Sequence, residues 1–446
     1  MRVPRPRLTL LPAFIAVSLS SFGGISCKKE KETASVLTIP AESSLLPALD
    51  RKQEEQIGMF ARQFAADVRA AKVSKVMRFF QNEMLLQRSL SGVTMDSTSY
   101  DNFKKGALAG MVNESGGALG AIIGGNFAYL RVLTRDGEPQ LLFRLASTTG
   151  FDYYRFRFDF GGADESPRLY DFYSYTTGEY ASQSMRRAII PLIVEMGGSL
   201  GEGESLKPSD KLILDNMERV QAVAKHKENG ESYLALKELR SLPGPVQKQR
   251  FARGIELQVL SEIPEKEREY VAALEKMETD FPNDPSMMMV MLDYYILKKD
   301  SEKVRALLNA IEMEVGLDPY HEILRGMLFL ADKDYENAQK SAWSAISAGH
   351  SYELFPNPNP SDQSLDKTSQ EAWYIVLEAG LKSKNHRTVA SALATIHSKF
   401  GIELGETAFD SPLYAEFFLS PEGKALKSIL EGGDPDEALK GLHIIE

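Results

Sequence analysis

Residues 126–147 read NFAYLRVLTRDGEPQLLFRLAS. Two apolar runs flank Asp136-Gly137, a pair that tolerates the positive φ angles a two-residue hairpin turn demands, so the stretch is read as two antiparallel strands. Beyond it, YYRFRFDF (Tyr153–Phe160) alternates strictly. That puts Tyr154, Phe156, Phe158 and Phe160 on one face and Arg155, Arg157 and Asp159 on the other. A fourth strand, RLYDFYSY, follows, and TTGEY then leads into a helix, SQSMRRAIIPLIVEM. On the N-terminal side, QIGMFARQFAADVRAAKVSKVMRFF places Ile57, Phe60, Phe64, Val68 and Ala71 at helical spacing, and YDNFKKGALAGMV is a second helical run. Helices first and a meander afterwards predict an α+β N-terminal domain, residues 50–198, with helices on one face of a curved antiparallel sheet.

After a Gly-rich linker, residues 199–209, strand signals nearly vanish and a period appears. FPNDP and GLDP place Pro285 and Pro319 34 residues apart, and Asp300 and Asp334 recur at the same interval. In PYHEILRGMLFLADKDYENAQKSAWSAI, Gly326, Phe329, Tyr335, Ala338 and Ala345 fall at the small and aromatic positions of a helix–turn–helix unit. QEAWYIVLEAGLKSKNHRTVASALATI repeats the pattern from Gln370, with Trp373 in place and Val389 for the alanine. Weaker copies start near Lys211, Phe251 and Pro285. This resembles the tetratricopeptide repeat, which implies an all-α helical-repeat solenoid over residues 210–446, closed by C-terminal capping helices. One helix pair cannot bury its apolar face alone, whereas stacked pairs share a core and leave a groove lined by first helices. The resemblance assigns Met289, Asp293, Ile323, Met327, Tyr374 and Glu378 to that groove. It lacks the Lys and Asn pattern that clamps a peptide carboxylate in some members.

The order of elements over residues 50–195, with a strand like FDYYRFRF before one like DFYSYTTGEY, resembles the nuclear-transport-factor-two-like (cystatin-like) fold. That resemblance implies a ligand-binding cone, a hydrolase- or isomerase-like pocket, or a homodimerisation face. No histidine precedes His226, so a base in this domain has to be a carboxylate. Asp159 and Asp171, on adjacent predicted strands, are the candidates for an acid–base pair. The other reading places them on a solvated face, ion-paired with Arg155, Arg157 and Arg168 across strands. NESGGALGAIIGG (Asn113–Gly125) has neither the lysine nor the following helix of a phosphate loop. No cofactor or metal motif is found. Met287–Met289 and Met291 span more than one helix face and read as packing, and His321, His386 and His397 read as ordinary helix residues. GHSYELFPNPNPSDQSLDKT interrupts the repeats at 349–368, either as a functional loop or as an insertion over the outer face.

Arg2, Arg5 and Arg7 precede the apolar run LTLLPAFIAVSLSSF and then GISC, which ends in the only cysteine, Cys27. This reads as a secretory signal, residues 1–26, too short for a spanning helix. It resembles the lipobox of bacterial lipoproteins, which implies acylation of Cys27, a lipid-anchored extracytoplasmic place in the cell envelope, and a flexible tether over 27–49. One cysteine allows no internal disulfide and no cysteine zinc site. The net charge of −10 is concentrated downstream, where residues 201–446 hold 28 basic and 42 acidic side chains. That field opposes nucleic acid as a partner and leaves a protein or peptide in the groove as the expected one.

Overall fold

The left-handed pair at Asp136 (φ 54°) and Gly137 (φ 81°) joins the strands Asn126–Arg135 and Glu138–Ser147 as the Asp-Gly signal requires. In the computed structural model the described residues are 36–38, 49–111, 119–120, 122–147, 150–160, 166–195, 208–282, 284, 286–353, 366–400 and 412–430. The expected signal sequence, Cys27, most of the expected tether and linker, the centre of the 349–368 interruption and much of the Gly-rich run lie outside them. By internal packing the chain divides at Lys298, giving one unit up to that residue and a second over Lys299–Glu446.

The first unit opens with β1 (Val36–Thr38), a strand within the stretch expected to be a tether. Its β-branched Val and Thr suit extended backbone. Next come α1 (Arg51–Arg69), α2 (Val73–Val76), a 3₁₀ turn (Met77–Phe79), α3 (Asn82–Ser89), β2 (Thr94–Asp96) and α4 (Ser97–Met111). A reciprocal capping box starts α1: the Gln53 amide donates to Asp50 and the Asp50 amide to the Gln53 side chain. Ile57, Phe64 and Val68 are fully buried, but the expected long helix ends at Ala70 because Ala71 takes φ 51°. β1 pairs antiparallel with β2.

The sheet follows as β3 (Asn126–Arg135), β4 (Glu138–Ser147), β5 (Gly150–Phe160), β6 (Pro167–Ser174) and β7 (Glu179–Tyr180), an antiparallel meander in sequence order. Bulges fall at Leu130 and Tyr170, and α5 (Ala181–Glu195) returns over the sheet. Phe127, Phe143, Tyr154, Phe156, Phe158, Leu169 and Phe172 form one core with α1, α3, α4 and α5.

In the same unit follow α6 (Pro208–Leu214), α7 (Met217–Glu228), α8 (Ser232–Ser241), α9 (Gly244–Gln247), α10 (Arg250–Ser261), α11 (Glu267–Asp280) and α12 (Met287–Leu297). They belong with the sheet for a physical reason. Arg186 of α5 pairs with Asp210 of α6 at 3.1 Å. Arg250 donates to the carbonyls of Thr176 (3.4 Å) and Thr177 (3.0 Å) and to Ser286. Packing therefore divides the chain inside the predicted repeats, not at residues 199–209.

The second unit holds α13 (Ser301–Val315), α14 (Pro319–Ala331), α15 (Tyr335–Glu353), α16 (Asp366–Ser383), α17 (His386–Phe400), α18 (Pro412–Leu419) and α19 (Pro421–Leu430). α14 packs on α15 and α16, and α16 on α17 and α18. A Cβ on Gly326 would lie 3.2 Å from the Ile375 side chain, so any larger residue there has to push that side chain back by a few tenths of an ångström. Ala338, Ala345 and Val389 are buried as the small positions require. Lys299, Lys333 and Lys384 each adopt left-handed φ (56–63°) immediately before a second helix. Asp300, Asp334 and Asn385 then cap those helices by accepting amides of Lys303, Asn337 and Thr388. The fold is thus an α+β region with a five-stranded sheet followed by helices.

Candidate functional site

The expected carboxylate pair is not brought together. β5 and β6 align Arg157 with Asp171 but Asp159 with Arg168, so Asp159 faces an arginine and remains partly exposed. Asp171 is fully buried, which corrects both the acid–base pairing and the solvated-face reading. Arg88 of α3 donates to its Oδ2 at 3.0 Å, Ser182 Oγ at 2.7 Å, and the Ser182 amide reaches Oδ1 at 3.1 Å. Burial pushes the Asp171 carboxyl up while Arg88 and Ser182 pull it down. The arrangement ties α3 and the start of α5 to β6, which is structural work.

On the sheet face opposite Arg157 and Asp171, rings occupy the space where a cone would open. Phe64 of α1 lies within 5.5–5.9 Å of Phe127, Phe143 and Phe156, centre to centre. Such edge-on packing fills a core at crystal-like density.

A second fully buried carboxylate, Asp152, carried no signal in the sequence. It accepts from Ser174 Oγ (2.7 Å), the Thr176 amide (2.9 Å) and its neighbour Tyr153's amide (2.8 Å), fixing the turn between β6 and β7. Burial outweighs these bonds and raises its pKa to about 6. The folded chain therefore holds a proton that the unfolded chain releases near pH 4, so this group's stabilisation is complete below about pH 4 and is lost as pH rises through 6. Asp152→Asn, which keeps the acceptor, should gain about 2–3 kcal/mol relative to wild type between pH 4 and pH 7. Urea midpoints of both chains across that range test this; a constant difference would show an ordinary carboxyl.

The other sheet face was expected to be solvated and is covered instead. Glu138, Gln140, Arg144, Tyr153 and Arg155 are all buried there. Arg157 lies 2.8 Å from Glu138 and 3.4 Å from Asp136, with its guanidinium carbon 4.5 Å from the Tyr180 ring centre. The Tyr180 hydroxyl donates to Asp136 at 2.8 Å. Burial opposes it, but that hydroxyl together with Arg155 and Arg157 holds Asp136 below the usual carboxylate range. Arg155 stacks on Tyr173 (4.4 Å) and Tyr175 (5.2 Å). The arginines and tyrosines were in view in YYRFRF and DFYSY; that their stems would be covered was not, because long amphipathic side chains suit either environment.

The residues expected to line a groove separate. Met289 and Ile323 are buried, so they pack the helices and present nothing to a partner. That they lie on helices was legible, but their depth depends on neighbours. Met327, Tyr374 and Glu378 are half-buried, and Asp293 lies on α12 with its side chain outside the described residues. Tyr414 of α18 sits beside two of them: burial first, then Glu378 and Tyr374, push its hydroxyl up. Met287 and Met291 are buried, in keeping with packing. His321 is not ordinary; it is fully buried 3.3 Å from Glu312, which Arg325 also holds at 2.7 Å. Burial raises Glu312, but His321 and Arg325 bring it down to about 2.

Among the described residues no group of three His, Cys, Asp or Glu side chains could hold a metal ion, and no helix is long and apolar enough to cross a membrane. Compared with family models, curated proteins and solved structures, the chain matches none.

Proposed function

We propose that this chain is a membrane-tethered extracytoplasmic binding or scaffolding protein of the bacterial cell envelope, anchored through an acylated Cys27. Its helical hairpins form a tetratricopeptide-type solenoid whose first helices engage a protein or peptide. The observation that carries this reading is the patch of Tyr374, Glu378 and Tyr414 across α16 and α18, two successive first helices, with half-buried Met327 on α14. Aromatic rings with a carboxylate among them suit a partner with apolar and basic side chains. The alternative, a small-molecule or enzymatic cone, is disfavoured by the rings that fill the core between α1 and the sheet.

The test uses the full-length chain, solubilised in detergent from its membranes, against a Met327→Ala, Tyr374→Ala, Glu378→Ala triple variant. A stoichiometric protein recovered with wild type and lost by at least tenfold with the folded variant is expected, as is loss of acyl labelling in Cys27→Ser. Equal recovery by both chains would remove the groove from the proposal, and labelling that survives Cys27→Ser would remove the anchor.

A further inference from the structure

Arg155 lies on β5, the central strand of the sheet, and is only 8 % exposed. Its Nε is closed off from solvent with no acceptor. Among the described residues it makes no hydrogen bond and no ion pair. Asp136 and Glu138 make their ion pairs with Arg157, and Arg155 acts on Asp136 only at longer range. What Arg155 has is aromatic: the rings of Tyr173 and Tyr175 beside its guanidinium.

A buried guanidinium with no ion pair in direct contact opposes folding, and stacking on tyrosine returns only part of that cost. Methionine would fill the same space against both rings without the charge, so packing alone does not call for arginine here. Further arginines lie on this face of the sheet. Arg131, Leu142, Arg155 and Tyr173 follow one another across β3 to β6, and Arg144 lies one pair further along β4. Tyr173 is half-buried, and its hydroxyl has no hydrogen bond among the described residues. Burial pushes that hydroxyl up, so it stays a neutral donor. Arg250, close by, is already committed to Thr176, Thr177 and Ser286 and lies 3.6 Å from Asp284.

We propose that Arg155 is an anion-binding residue, its guanidinium framed by Tyr173 and Tyr175 to receive the carboxylate or phosphate group of a small ligand on this face of the sheet. The planar fork matches either group in two-point contact, and the Tyr173 hydroxyl supplies a further donor. This site lies on the opposite face from the ring-filled core and is independent of the helical groove.

The experiment measures thermal unfolding of the full-length chain in detergent with sodium phosphate, sodium benzoate, and sodium chloride at matched ionic strength. One of the two probes should raise Tm saturably by about 2–4 °C over chloride, and whichever does so distinguishes a phosphate ligand from a carboxylate one. Arg155→Met should abolish the response while unfolding no lower than wild type without probe, and Arg155→Lys should weaken it about tenfold by losing the fork. The proposal is overturned by no probe-specific response, by a response that persists in Arg155→Met, or by a probe-free Arg155→Met chain that unfolds earlier, which would mark the guanidinium as structural.

Discussion

Replacing Arg88 with methionine is expected to destabilise the sheet-bearing unit by about 3–5 kcal/mol at neutral pH. The size follows from what is left behind. Asp171 is fully buried, and without the Arg88 bond at 3.0 Å its charge keeps only Ser182 and the Phe172 amide. The reverse change is milder. Asp171→Asn leaves an arginine whose side chain is 18 % exposed and can reach water, so about 1–2 kcal/mol is expected. In the double variant the two losses should fall short of their sum, because the second change removes the stranded charge created by the first. A pH signature separates this from lost packing. Asp171 is already raised in the folded chain, and losing Arg88 raises it further. The penalty of Arg88→Met should therefore shrink as pH falls and the carboxyl takes up a proton. Amide exchange of β5 and β6 peptides reads the effect locally, as both tryptophans, Trp343 and Trp373, lie in the other unit. A loss below about 1 kcal/mol, or one unchanged by pH, would mean that Asp171 is not held as a buried ion pair.

The same pair shows where the sequence stops being informative. Hairpin, strand alternation and the helices flanking them were legible because each rests on neighbours: Asp136-Gly137 for the turn, Tyr154, Phe156 and Phe158 for the buried face. The helix starts at Asp300 and Asp334 were legible, yet the left-handed residues that set those turns are lysines, a type with no turn signature. Arg88 and Asp171 are 83 residues apart, and the short α3 that carries Arg88 gave too few turns for a periodic signal. Burial of the second sheet face was hidden for another reason. Arg and Tyr alternate with Phe in a covered strand just as in a solvated one, and only the tertiary neighbours decide. Met289 and Ile323 fail in the opposite sense: apolar residues at helical spacing located them on helices but could not show that their neighbours cover them.

Phe64→Ala is the other change with a large expected effect, a loss of about 3–5 kcal/mol. Phe64 is fully buried on α1 and meets four rings, Phe79, Phe127, Phe143 and Phe156, at 5.5–5.9 Å. Truncation removes the transfer energy of the ring and leaves a hole whose walls are aromatic and belong to three strands and the turn after α2, so they cannot easily collapse inward. A hole lined in this way stays dry and accepts an apolar guest. Benzene should therefore restore part of the lost stability of Phe64→Ala and leave wild type unchanged. This result bears on function as well as packing. If Phe64 plugs the place where a ligand cavity would open, the variant gains a pocket there that wild type lacks, and the binding roles proposed for the helices and for Arg155 have no rival in this core. Should wild type itself bind benzene at this core, or should Phe64→Ala cost under about 1 kcal/mol, the core is looser than its ring contacts indicate and the cone regains its claim as a ligand site.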